Sequence, residues 1–100
     1  MAIESKTQII RAEGLMSASV DQELVILNMA TNNYIGLDTI GRRIWEMIEK
    51  PLSVDELYDI LSREFDVQLK QFEADVLPFL EELKHEGLIR IVGQNKDSDH

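Results

Sequence analysis

The chain is predicted to be an α+β domain, a small three-stranded antiparallel sheet followed by three helices. Three observations lead there. Two short apolar runs, ELVILNM and YIGL, flank a turn-forming stretch that holds Thr31, Asn32 and Asn33. Directly after the second run, TIGRRIWEMIEK places Ile40, Ile44, Trp45 and Ile48 at helical spacing. Further on, Ser53 with Glu56, and an apolar stripe that stops before Gly87, mark two more helices.

In chain order, residues 1–7 carry little pattern and are expected to form a disordered arm. Gln8 to Glu13 holds Ile9 and Ile10 and suits a short strand or extended arm, which Gly14 breaks. Leu15 to Val20 alternates weakly, as a strand with one buried face would. Asp21 and Gln22 then make a tight turn into Glu23–Met29, the clearest strand, where Val25 and Ile26 are β-branched. Ala30 to Asn33 form the next turn, because Asn tolerates a left-handed backbone. Tyr34 to Leu37 closes the group.

Asp38 or Thr39 is placed to cap the first helix, and Lys50-Pro51 to end it, since a residue before proline avoids helical angles. The second helix begins at the Ser53/Glu56 capping box and buries Val54, Leu57, Leu61 and Phe65. The third runs from about Lys70 to Glu86 on a stripe of Phe72, Val76, Phe79, Leu80 and Leu83. Pro78 sits inside it and should free the carbonyl of Ala74 and bend the rod. Leu88 to Val92 reads as a last short strand or a tail that packs back. The domain thus spans 8–92, and the polar residues 93–100 are expected to be a disordered tail.

Composition narrows the chemistry. One hundred residues with 44% hydrophobic and 29% charged content suit one globular domain. No apolar run approaches the roughly 18 residues of a spanning helix, and MAIESKTQII has neither the basic start nor the apolar core of a signal peptide. Cytoplasm, with no membrane partner, is the expectation. Cysteine is absent, which removes disulfides, thiol nucleophiles and thiolate metal sites together. Two histidines remain. His100 is terminal, and His85 shares the polar side of the third helix with Glu81, Glu82 and Glu86. Glu81 and His85 stand at i, i+4, but two ligands do not make a metal site. The five glycines are scattered and form no phosphate loop. No catalytic residues, metal or cofactor are expected.

A sheet followed by three helices is also the parts list of a winged helix-turn-helix domain, so a winged-helix transcription regulator is the alternative. The charge argues against it. Net charge is −9, and the third helix sets Lys70 and Lys84 against Glu73, Asp75, Glu81, Glu82 and Glu86. Phosphates would be repelled, so no nucleic-acid partner is expected.

The apolar hairpin ending in LN, the strand into IGRRIWEMI, the SVDELYDILSREFDV helix and DVLPFLEELKHEGLI together resemble the PqqD-like domain. That domain is also called the RiPP recognition element, after the ribosomally made, modified peptides in whose pathways it occurs. The resemblance covers roughly Leu15 to Val92, and its most telling pieces are Asp75-Val76, Phe79-Leu80, Leu83 and Gly87-Leu88. The chain departs from the family at Glu49-Lys50-Pro51, where an Asp-Gly often follows the first helix, and at Pro78. What the resemblance implies is a winged helix-turn-helix-like fold and capture of a precursor's leader peptide. The leader adds as a strand beside the third strand, with side chains entering a cleft shared with the third helix. A separate chain of this size is similar to the leader-binding protein of split lasso-peptide systems, which works beside a leader peptidase and an ATP-dependent cyclase. PqqD itself, a peptide chaperone for a radical SAM enzyme, is the neighbouring possibility.

Carried onto this sequence, the leader-binding candidates are Asn33, Tyr34, Ile35, Gly36 and Leu37 from the strand, with Phe72, Asp75, Val76, Phe79 and Leu83 from the helix. Alternation puts Tyr34 and Gly36 on one face, Ile35 and Leu37 on the other. Each main-chain hydrogen bond adds only about 0.5–1.5 kcal/mol, so pairing alone is weak and blind to sequence. Two or three apolar anchors, at roughly 1.5–3 kcal/mol apiece, must supply the specificity.

Overall fold

The computed structural model describes residues 3–21 and 23–92. The strands are β1 (Gln8–Arg11), β2 (Leu15–Val20), β3 (Glu23–Asn28), β4 (Asn33–Leu37), β5 (Leu52–Ser53) and β6 (Ile89–Ile91). The helices are α1 (Thr39–Met47), α2 (Val54–Phe65), α3 (Leu69–Gln71) and α4 (Leu77–His85). A π-helical segment, Phe72–Val76, joins α3 to α4, so residues 69–85 run as one third helix. The α+β class and the order of hairpin strands before helices are as the sequence predicted.

β2, β3 and β4 form an antiparallel meander with β3 in the centre. Val20 pairs with Glu23 across the first turn and Asn28 with Asn33 across the second. Asp21 and Asn32 take left-handed angles, φ 57° and 63°, which their short polar side chains tolerate. β1 does not join this meander. It is the centre of a second sheet, ordered β5-β1-β6, in which Ile9 meets both Leu52 and Ile91.

β2 also differs from expectation, because it has no buried face. Leu15 is half-buried, and Met16 to Val20 are exposed. The cause is connectivity: α1 starts one residue after β4, so it lies under β3 and β4 and leaves the third strand uncovered. Residues 3–7, assigned by pattern to a disordered arm, lie against the domain. Ile3 is buried and its N–H donates to the Glu81 carboxylate at 2.9 Å, while Val54 and Asp55 donate N–H groups to Thr7 and Ser5 carbonyls. The tail over 93–100 falls outside the described residues.

Helix ends follow the sequence signals. Asp38 caps α1 by accepting from the Gly41 N–H at 2.9 Å. Ser53 and Glu56 exchange both bonds of a capping box, and these hydrogen bonds hold the Glu56 carboxyl below its ordinary range. Arg43 on α1 clasps Glu64 on α2 through two bonds of 2.8 and 3.0 Å. That bidentate contact lowers the Glu64 pKa and raises that of Arg43. α1 ends at Met47, three residues before Lys50.

Just before Pro78 the third helix widens into a π-helical turn. The Leu77 N–H reaches back to the Phe72 carbonyl, five residues away, and the wider turn makes room for a ring that would strike an α-helical neighbour. The core draws on every layer. Ile9, Ile26, Leu37, Ile44, Ile48, Leu57, Leu61, Leu80, Leu83 and Leu88 are fully buried.

Candidate functional site

Among the described residues β4 is an edge strand, paired with β3 on one side only. Which of its backbone groups stay open follows from the first turn. Two residues separate Val20 from Glu23, and such a short reversal closes on a hydrogen-bonded pair. Alternation from that pair turns the backbone of Leu24, Ile26 and Asn28 toward β4, where they face Leu37, Ile35 and Asn33. Tyr34 and Gly36 therefore point their N–H and C=O groups out of the sheet. An open edge of this kind accepts an extended chain.

Beside the edge lies a cleft of about 400 Å³. The strand contributes Gly36 and Leu37, followed by Asp38. α1 contributes Ile40, Gly41 and Ile44, and the third helix Gln71, Asp75, Val76 and Phe79. Val67 from the preceding connection and Glu23 from β3 complete the lining. The Asp38 cap turns strand into helix within one residue, which brings the first turn of α1 to the cleft. Gly41 allows a close approach there: a Cβ would lie 3.3 Å from both the Phe79 ring and the Asp38 carboxylate. Without one, the edge of the half-buried Phe79 ring rests against α1.

Chemically the cleft is an apolar trough with acid at its margin. Leu37, Ile44, Val67, Val76 and Phe79 supply the apolar surface; Glu23, Asp38 and Asp75 supply carboxylates; among the described residues no lysine or arginine lines it. It suits an extended segment with apolar anchors and basic neighbours. Among the described residues, no group of His, Asp and Glu is placed to hold a metal ion.

Of the ten residues expected to bind, Gly36, Leu37, Asp75, Val76 and Phe79 meet in this cleft. Asn33, Tyr34 and Ile35 continue the same strand beyond it, with Tyr34 exposed and Ile35 packed on the core. Phe72 and Leu83 are buried away from the lining; the Phe72 ring meets Tyr58 edge-on at 5.2 Å. The wide turn at Phe72–Val76 separates the direction of Phe72 from that of Phe79, and Leu83 lies one turn beyond Phe79 on α4. Sequence pattern missed Glu23, Asp38, Ile40, Gly41, Ile44, Val67 and Gln71. Gly41 alone carried a signal, as a glycine inside a helical run.

Residues 23–89 match the family model described as coenzyme PQQ synthesis protein D (PqqD). Among solved structures, the chain is similar to TbiB1 in complex with the TbiA(beta) leader peptide. That match has 32% identity and a TM-score of 0.70, covering 84% of this chain and 95% of the other. No curated protein matches it.

Proposed function

The chain belongs to the PqqD family, and from that premise we propose that it is a non-catalytic adaptor for a ribosomally made precursor peptide. It binds the precursor's leader as a fourth strand on β4 and presents it to modifying enzymes. One observation carries the reading: an unpaired strand edge at Tyr34 and Gly36 runs beside an apolar cleft in a chain 32% identical to a protein solved with a leader peptide. The division of labour is physical. Main-chain bonds to Tyr34 and Gly36 hold any extended segment weakly, and the trough between Leu37 and Phe79 selects by side chain. The carboxylates at its margin favour leaders with lysine or arginine beside the apolar anchor.

Within this reading the product is a lasso peptide, and the partners are a leader peptidase and an ATP-dependent cyclase. What supports it is the likeness to TbiB1 together with the size and order of the chain's elements. The adaptor works in the cytoplasm, where the precursor is made.

The test is a titration of a labelled synthetic leader from the neighbouring precursor gene, followed by fluorescence anisotropy. A dissociation constant of about 10⁻⁶ to 10⁻⁸ M is expected after the cost of ordering the peptide. Duplex DNA at physiological salt should neither bind nor compete. A leader that fails to saturate the protein would overturn the proposal.

A further inference from the structure

The meander has a second open edge. Among the described residues β2 pairs with β3 on one side and with nothing on the other. Alternation from the Val20–Glu23 pair turns the backbone of Met16 and Ala18 toward β3, so Leu15, Ser17 and Ser19 point their N–H and C=O groups out of the sheet. Lysine or proline commonly blunts such an edge. Leu15–Val20 contains neither.

At the Leu15 end of that edge lies a hollow of about 200 Å³, lined by Leu15, Met16 and Ser17, by Arg11 and Trp45, and by the connection from β1 to β2. The half-buried Arg11 is fixed there from two sides. Its Nε donates to the Trp45 carbonyl at 2.8 Å, and its guanidinium lies over the Trp45 ring, 4.9 Å from the centroid. These contacts leave both terminal nitrogens without an acceptor among the described residues. Nor does Arg11 form an ion pair there, although the chain carries 19 acidic side chains. A guanidinium held in this way loses little freedom when it takes a carboxylate through two parallel hydrogen bonds.

We infer that the β2 edge and Arg11 form a second docking site, for an extended segment of a partner protein that carries glutamate or aspartate. The segment adds as a strand beside Leu15, Ser17 and Ser19, and its carboxylate enters the hollow to meet Arg11. Charge chooses the occupant. Carboxylates rim the cleft beside β4 and repel an acidic segment, whereas among the described residues none lines this hollow. β3 stands between the two edges, so both can be filled at once, and the second site does not depend on leader capture.

The probe is the synthetic peptide acetyl-Thr-Val-Glu-Val-Thr-amide, with its glutamine analogue and sodium acetate as controls. Trp45, the chain's single tryptophan, reports binding through its fluorescence. The glutamate peptide should give a saturable change that weakens as salt rises, and the glutamine analogue should bind about five- to tenfold more weakly. Arg11→Gln should bring the two peptides to equal affinity. Because Arg11 also braces the end of α1, Ser17→Pro supplies a variant that leaves it in place. Proline is tolerated on an edge strand, and loss of the outward N–H should weaken the glutamate peptide about two- to tenfold. Absence of a saturable change, equal affinity of wild type for the two peptides, or unchanged binding to folded Ser17→Pro overturns the inference. So does acetate that binds as tightly as the glutamate peptide, because the hollow then holds a small anion alone. Displacement of the peptide by leader overturns it by placing the peptide on β4. A wild-type dimer that Ser17→Pro dissociates does so as well, since the edge then serves a second copy of the chain.

Discussion

The side-chain amide of Asn28, at the end of β3, donates to the Gly87 carbonyl at 3.2 Å, where the third helix gives way to β6. Its carbonyl oxygen meanwhile accepts from the Ala30 N–H at 2.9 Å and steadies the turn into β4. Gly87 has φ +78°, and a Cβ there would sit 2.9 Å from the Asn28 nitrogen. One buried amide therefore holds the hairpin at a set position against the helix end. Replacing it by leucine removes these part-buried hydrogen bonds, each worth about 0.5–1.5 kcal/mol. Asn28→Leu should lower the urea midpoint accordingly, and leader affinity should fall with it, since edge and cleft no longer keep register.

Gly36→Pro tests strand addition directly. Proline is tolerated on a sheet edge when its missing N–H would have faced solvent, so the variant should fold. It removes one main-chain donor at the open side of β4. Leader binding should weaken by about two- to tenfold, measured by calorimetry on protein with unchanged circular dichroism. Wild-type affinity in the folded variant would mean that the leader docks elsewhere.

Gly41→Ala separates cleft from fold. Alanine gains helix propensity of up to about 1 kcal/mol, while its Cβ, 3.3 Å from the Phe79 ring, pushes that half-buried ring toward the cleft. Global stability should change by no more than about 1 kcal/mol. Leader affinity should drop severalfold, a split visible when thermal melts and titrations are run on the same sample.

Acid should loosen the contact between α1 and α2. The Glu64 carboxyl is held below its ordinary value of 4.5 by Arg43, and Glu56 by its bonds to Ser53. A depressed carboxylate stabilises the fold fully above its unfolded pKa, and that contribution disappears as pH falls through the folded value. Thermal midpoints should therefore decline below about pH 4.5. Glu64→Gln should flatten that decline and leave neutral-pH leader binding intact, because Glu64 does not line the cleft.

The hairpin was legible because its signals are local: β-branched Val25 and Ile26, then Asn32 at a left-handed turn. The starts of α1 and α2 were legible for the same reason, announced by the caps at Asp38 and Ser53. The β5-β1-β6 sheet was not, since β5 has two residues and Ile9 finds Ile91 near the far end of the chain. Five of the twelve residues lining the candidate cleft were readable from the strand and the helix. Val67 and Ile44 reach the cleft only through the packing of whole elements, which no short window of sequence encodes.

A π-helical segment is an α-helix carrying one extra residue. Each residue of helix turns the chain by about 100°, so the segment at Phe72–Val76 resets the compass between the rod's two ends. Phe72 keeps its bearing toward Tyr58 while Phe79 keeps a different one, toward Gly41. Removing a single residue between them would swing one ring off its target even if every side chain were preserved. Length here is as consequential as composition.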